Sequence, residues 1–285
     1  MQIHVTRPGD TLYALSRRYG LSPALLAGMN GLSPDTGLAV GQTLVVRVPR
    51  SVHTVAPGES LYAIAQRYGT DTLTLLRNNA ALGGRTALRP GEELIVDFSD
   101  NDRLGGAKVN GYAYPYIDRD TLDTALPYLT FLTPFTYGIS RGGGLLPLRD
   151  DALLSAAARY QTAPLMHLSS LTEEGGFSNE RSSLLLNSPE LQERLLTDVL
   201  DTMERKGFYG LDVDFEFVFP NERTLYADFV RRLRDRLNPL GKPVLAALAP
   251  KTRADQPGLL YEAHDYRLLG EAANAVLVMT YGSDC

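Results

Sequence analysis

Apolar and polar positions along this chain follow two different rhythms. Over residues 1–97 the apolar positions are sparse and grouped. A run at 3–6 has the composition of a short strand, and Pro8-Gly9 after it reads as a turn. Leu12, Leu15 and Tyr19 then fall on one face of a helix that Asp10 or Thr11 can cap and Gly20 stops. Ser22-Pro23 opens a second helix reaching about Met29, and Val40-Gly41 turns into a strand over 43–48. The same strand, helix, helix, strand order returns once more, with Asp71 as a cap and a last strand over 94–98.

Beyond a polar, glycine-containing linker at 98–108 the rhythm lengthens. Strand-like runs at 109–117, 128–139, 164–171, 210–218, 243–249 and 275–281 are separated by helical patterns at 151–160, 189–206, 222–237 and 261–271. Repeated βα units predict a parallel sheet, either an open doubly wound sheet or a barrel. The fold class read from this pattern is two small α+β units of βααβ type, followed by an α/β region with about six strands. No run approaches the roughly 18 apolar residues of a membrane span, and the longest, 275–279, is strand-sized.

The two small units are copies. Pro8-Gly9-Asp10-Thr11-Leu12-Tyr13-Ala14-Leu15 aligns with Pro57-Gly58-Glu59-Ser60-Leu61-Tyr62-Ala63-Ile64 at an offset of 49. Eight of the thirteen positions from Pro8 to Gly20 are identical to their partners. Near the end the offset becomes 50, so Gly41-Gln42-Thr43-Leu44 matches Gly91-Glu92-Glu93-Leu94 across one inserted residue.

Composition narrows the partners. With 44% hydrophobic and 21% charged residues the chain is of ordinary globular type and not disordered. Its net charge of −5 argues against a nucleic-acid partner. The charge is uneven: residues 1–97 carry nine Arg/Lys against seven Asp/Glu, a balance of +2, and the remainder carries −7. The single cysteine, Cys285, makes neither an internal disulfide nor a zinc site. His4, His53, His167 and His264 lack ligand spacing and are assigned structural or surface roles, so no metal and no cofactor is expected. Gly142-Gly143-Gly144 lacks the order and following helix of a phosphate-binding loop and reads as a plain loop. Met1-Gln2-Ile3-His4 does not begin a classical signal peptide.

The chemistry concentrates in Gly210-Leu211-Asp212-Val213-Asp214-Phe215-Glu216-Phe217-Val218. On a strand, Leu211, Val213, Phe215 and Phe217 share one apolar face. Asp212, Asp214 and Glu216 share the other, each about 7 Å from the next. A buried parallel strand is normally apolar on both faces. Three acids on one inward face are costly unless they serve a site, the alternatives being an exposed edge strand or a magnesium-type carboxylate cluster.

Two resemblances follow from these residues. Residues 2–48 and 51–97 each resemble the LysM domain through the Gly-Asp-Thr-Leu-Tyr and Gly-Glu-Ser-Leu-Tyr segments, Tyr19-Gly20 and Tyr68-Gly69, Asn30 and Asn79, and the closing Gly-x-x-Leu. That family binds N-acetylglucosamine-containing glycans, peptidoglycan or chitin. The resemblance implies contacts from Gly9, Asp10 and Thr11 with Gly31-Leu32, and from Gly58, Glu59 and Ser60 with Ala81-Leu82, although as single residues these can equally be turns and caps. Residues 109–285 resemble glycoside hydrolase family 18, whose D-x-x-D-x-D-x-E signature on barrel strand four is matched by Asp212, Asp214 and Glu216. Tyr209 stands where the first acid belongs. Met279-Thr280-Tyr281 resembles the M-x-Y of strand six, with Gly282 in place of the acid after it, and Gly111-Tyr112-Ala113-Tyr114 fits strand one.

The whole layout is similar to the spore-germination, cortex-lytic N-acetylglucosaminidases of endospore formers. This implies a peptidoglycan-binding glycoside hydrolase associated with spore coat, cortex or cell wall. It would cleave β-1,4 N-acetylglucosaminyl bonds with no cofactor and no membrane partner. By the same resemblance Glu216 is the proton donor and Asp214 holds the substrate acetamide. Tyr281 hydrogen-bonds the acetamide oxygen, Asp212 supports Asp214, and Tyr112 and Tyr114 contact sugar. The rival readings are a non-catalytic peptidoglycan- or chitin-binding coat or wall protein and a chitinase. A (β/α)8 barrel takes about 250 residues, rarely under about 200. Six strand candidates and the absence of tryptophan in the sequence lead to the expectation of an incomplete TIM barrel lacking strands seven and eight. Such a chain would be a truncated product with the acids laid open, the barrel portion unstable and catalysis weak or absent.

Overall fold

A computed structural model describes residues 1–98 and 106–280. The first repeat is β1 (Gln2–Val5), α1 (Leu12–Tyr19), α2 (Pro23–Met29) and β2 (Thr43–Val46), with β1 and β2 antiparallel. The Thr11 and Ser22 side chains cap the two helices by accepting the Ala14 and Leu25 N–H groups. Gly20 ends α1 at φ 68°, a left-handed conformation that glycine adopts without a Cβ clash. Leu12, Leu15, Leu26, Leu44 and Val46 fill its small core.

The second repeat is β3 (Pro49–Thr54), α3 (Leu61–Tyr68), α4 (Thr72–Asn78) and β4 (Glu93–Phe98), capped in the same way by Ser60 and Asp71. In each repeat one asparagine ties the second helix to the closing strand. The Asn79 amide donates to the Leu75 and Ile95 carbonyls, both at 2.8 Å, and its oxygen accepts the Ile95 N–H at 2.7 Å. Asn30 repeats this pattern with Leu26 and Val45. The two copies sit directly against each other. Ser22 donates to Glu93, and a Cβ on Gly28 would lie 3.2 Å from the Ala81 Cβ. A groove of about 670 Å³ between them is lined by Leu25, Met29, Leu32, Asn78 and Arg89 among others. The segment 118–129, containing α5 (Arg119–Ala125), belongs to the same unit, where Arg77 donates to the Pro127 carbonyl.

The second unit is a six-stranded parallel sheet in the order β5-β6-β9-β10-β11-β12. These strands are β5 (Asn110–Ala113), β6 (Phe131–Pro134), β9 (Ala163–Ser169), β10 (Gly210–Asp214), β11 (Val244–Leu248) and β12 (Ala275–Val278). A small antiparallel pair, β7 (Gly138–Ile139) and β8 (Leu145–Leu146), carries the triple glycine. At Gly143 a Cβ would meet Leu191 at 2.9 Å, so the loop's glycines serve close packing. The helices are α6 (Asp151–Arg159), α7 (Asn179–Leu186), α8 (Pro189–Lys206), α9 (Arg223–Leu237) and α10 (Tyr266–Ala272). Leu211, Val213 and Phe215 are buried in one core with Leu195, Val199 and Met203 of α8 and Tyr226, Phe229 and Leu233 of α9. Each such side chain contributes about 1.5–3 kcal/mol on burial. No helix of the described residues is long and apolar enough to cross a membrane.

Several expected elements change. The strand read over 109–117 is confined to Asn110–Ala113, and that over 128–139 divides into β6 and β7. The strand over 210–218 ends at Asp214, because Phe217 takes φ 56° and turns the chain; Phe217 therefore leaves the apolar face assigned to it. Helix α7 was not foreseen, since its buried side includes Arg181 and Ser182 and carries no apolar period. Helix α10 starts at Tyr266, where Asp265 caps it, five residues later than read. The linker residues 99–105 and Tyr281 lie outside the described residues.

Candidate active site

Asp212 and Asp214 alternate with Leu211 and Val213 along β10, so both point away from the helices. They were expected to lie open on an incomplete barrel. Instead Asp212 is 0% and Asp214 3% exposed, because side chains from β5 and β9 close over them. The Tyr112 hydroxyl of β5 donates to Asp212 Oδ2 at 2.6 Å. Strand β9 lies in register with β10, placing His167 opposite Asp212 and Ser169 opposite Asp214. His167 Nε2 is 3.4 Å from Asp214 Oδ2.

Glu216 lies two residues past the strand and is half-buried. The peptide just before it is fixed on three sides. The Phe215 ring stacks on Tyr226 at 5.6 Å, and the Phe215 N–H donates to the Tyr226 hydroxyl at 3.4 Å. His264 Nε2 donates to the Phe215 carbonyl at 3.0 Å while its Nδ1 accepts the Ala249 N–H. Burial holds the His264 imidazole below its ordinary range, in keeping with that neutral bridging role.

Burial raises two of the acids. Burial pushes the Glu216 carboxyl above its ordinary range, the neighbouring Asp214 adds to this, and His167 opposes it. Burial also raises Asp212, against the His167 charge and the Tyr112 hydrogen bond. Asp214, Glu216, Tyr112, Tyr114, Phe135 and Met279 line a pocket of about 320 Å³. Its rim is aromatic: Tyr114, 50% exposed, stacks on Tyr116 at 5.1 Å and meets the edge of Phe135 at 5.2 Å. An acid of raised pKa beside a second carboxylate, under an aromatic rim, is equipped to protonate a leaving group and hold a polar substituent.

The structure thus brings together Asp212, Asp214, Glu216, Tyr112 and Tyr114. Tyr209 stands apart from the pocket lining, stacking on Phe131 at 5.7 Å. Sequence reasoning missed Phe135, and it placed His167 among the structural or surface histidines when it lies inside the site. The signal was available: His167 and Ser169 alternate with Met166 and Leu168 in the same period of two that marks the inner face of β10. Among the described residues no cluster of His, Cys, Asp or Glu could hold a metal ion.

In the repeats, the expected glycan-contacting side chains are committed to their own loops. Asp10 accepts the Arg7 N–H at 2.8 Å and faces His4 Nε2 at 3.1 Å; Glu59 does the same with Ala56 at 2.8 Å and His53 at 2.6 Å. These contacts, the backbone bonds first, hold both carboxyls below their ordinary range. Thr11 and Ser60 are helix caps, and Gly9 and Gly58 take positive φ. Leu82, expected beside Ala81 in a binding loop, is instead buried in the core.

Two family models match the chain. Residues 4–47 and 53–97 match the LysM domain, and residues 166–284 match the glycosyl hydrolases family 18. A cortical fragment-lytic enzyme of Bacillus subtilis (strain 168) is 35% identical over 289 residues, covering 99% of this chain and 65% of the relative. The crystal structure of the Bacillus megaterium QM B1551 spore cortex-lytic enzyme SleL superposes with a TM-score of 0.73 at 29% identity, over 98% of this chain and 66% of that one. The Bacillus cereus SleL structure gives 0.70 at 32% identity, over 98% and 65%. The chain spans just under two thirds of the length of the curated relatives it matches.

Proposed function

We propose that this chain, two LysM domains followed by a six-stranded glycosyl hydrolase family 18 sheet, binds peptidoglycan and hydrolyses its β-1,4 N-acetylglucosaminyl bonds, with spore cortex fragments as substrate. The observation that carries this reading is the pairing of Glu216 and Asp214 in one aromatic-rimmed pocket, with burial and Asp214 raising the Glu216 carboxyl above its ordinary range. Relatives named for cortex lysis support the substrate and a spore or wall location.

Glu216 gives its proton to the glycosidic oxygen. The nucleophile is the substrate's own 2-acetamido oxygen, the substrate-assisted exception to the two-carboxylate scheme that is recognised for this family. Asp214 accepts the acetamide N–H and faces the positive oxazolinium as it forms. Asp212, held by Tyr112, sits behind Asp214 on the same face of β10. Tyr281 would hydrogen-bond the acetamide oxygen. Water then opens the ring, with Glu216 now acting as base and configuration retained. The LysM units hold the enzyme on the polymer, with their capped loops giving a shaped backbone surface.

The test is digestion of purified cortex fragments with mass analysis of the released ends. New reducing-end N-acetylglucosamine, absent with Glu216→Gln, supports the proposal. Binding of fragments with no new ends would leave a carbohydrate-binding protein, and cleavage of chitin oligomers alone would make it a chitinase.

A further inference from the structure

His167 has no part in that scheme, yet it is built into the site. It is fully buried, and its Nδ1 lies 2.6 Å from Thr136 Oγ1. Its ring is boxed by Tyr112, edge-on at 5.4 Å, and Phe135, tilted at 4.8 Å. Among the described residues Nε2 has no hydrogen-bond partner and faces Asp214 Oδ2 at 3.4 Å, while Asp214 Oδ1 is also buried and unpartnered.

We infer that His167 is the positioning residue for Asp214: its Nε2–H meets Oδ2 and fixes the rotation of the carboxylate that accepts the substrate's acetamide N–H. This rests on the reading of the site as a substrate-assisted glycosidase. An ionised carboxylate can only accept, so the contact requires the proton on Nε2. Thr136 satisfies Nδ1 in either charge state. Its hydroxyl donates to the bare nitrogen of a neutral ring, or accepts from the second N–H of an imidazolium. In both, the donor toward Asp214 is preserved. The 3.4 Å separation is longer than a formed N–H···O bond. Catalytic contacts of an empty site are often long and tighten when substrate arrives.

The groups facing His167 are Asp212 and Asp214 from β10, Glu216 beyond it, Tyr112 from β5, and Thr136 and Phe135 between β6 and β7. Without His167 the Asp214 carboxylate would lose the group that fixes its rotation, and a carboxylate out of place by about 1 Å costs roughly 10²-fold in rate.

The experiment uses the full 285-residue chain. Histidine ring ¹⁵N signals are recorded in the wild type and in Asp214→Asn. In parallel, His167→Ala and His167→Gln are assayed for affinity toward a chitobiose thiazoline, which mimics the oxazolinium, and toward plain N,N′-diacetylchitobiose. The proposal expects Asp214→Asn to shift the His167 Nε2 signal. It also expects His167→Ala to weaken the thiazoline about tenfold or more, with the plain disaccharide little changed and His167→Gln, which keeps an N–H donor, partly restoring affinity. If the His167 signals ignore Asp214→Asn, the pairing is overturned. If they respond while the wild type neither binds thiazoline nor cleaves a chitobioside, the pairing stands and the functional reading falls. Should His167→Ala fail to fold, His167→Gln and the ring signals of Asp214→Asn decide.

Discussion

Asn79→Ala should unlock the second repeat. The side chain makes three hydrogen bonds, to the Leu75 carbonyl and to both backbone groups of Ile95, and the residue is buried. At about 1 kcal/mol net per bond, plus about 1–3 kcal/mol for a buried group left without a partner, the loss is roughly 4–6 kcal/mol. A domain of this size has only about 2–7 kcal/mol to lose. Hydrogen exchange followed by mass spectrometry on the full chain reads the effect locally. Amides of β4 around Ile95 should exchange on the order of 10³–10⁴-fold faster, at about 1.4 kcal/mol per decade. The sheet of the second unit should keep its protection. Asn30→Ala breaks the equivalent bonds at a half-buried position, where water can replace them, and should cost less. Asn79→Asp should be at least as damaging at neutral pH, since a carboxylate would face two carbonyls, and should recover as pH falls and it protonates. Unchanged exchange at Ile95 in Asn79→Ala would refute the argument that this amide holds helix to strand.

Four further outcomes are expected. Glu216→Gln should lose about 10²–10⁴-fold in turnover while still binding glycan, because the proton is lost and the shape kept; a rate within a few-fold of wild type would remove Glu216 as the acid. Activity should fall as pH rises through the raised pKa of Glu216, since the acid form is the working one. Asp214→Asn should move the Glu216 titration, followed by carboxyl ¹³C NMR, to lower pH by removing an anionic neighbour, though burial will keep it above an exposed glutamate. Residues 1–98 alone should sediment with insoluble peptidoglycan with weak salt dependence, as hydrogen bonds and not charge make the contact; no enrichment over an unrelated protein of similar charge would discard the binding role.

What could be read from the sequence was what is local in the chain. Helix caps, stop glycines and the copied segments gave the repeats, because a βααβ unit is specified within some 45 residues. The acids of β10 were legible through the period of two along one strand. What escaped depends on neighbours distant in sequence. His167 joins the site only through the pairing of β9 with β10, and Phe135 only by leaning over from the end of β6. The burial of Asp212 comes from Tyr112, a hundred residues away. Helix α7 hides because its inward side buries Arg181, which donates to the Ile139 carbonyl and pairs with Glu173. The departure of Phe217 from the strand follows from its left-handed backbone, for which its side chain gives no sign.

The direct seating of one repeat on the other, with Gly28 against Ala81 and Ser22 bonded to Glu93, has a bearing on how the chain would read a polymer. Two glycan-binding modules on a slack tether gain from each other through effective concentration alone and accept any spacing the tether can span. Two modules clamped face to face behave as a caliper. Their combined grip is strong on strands that present sugars at one separation and orientation, and collapses to the strength of a single module on strands that do not. Under the proposed glycan-binding role, selectivity for a particular wall architecture then resides in the fixed spacing of the two repeats, set by a glycine too crowded to become an alanine without moving its neighbour.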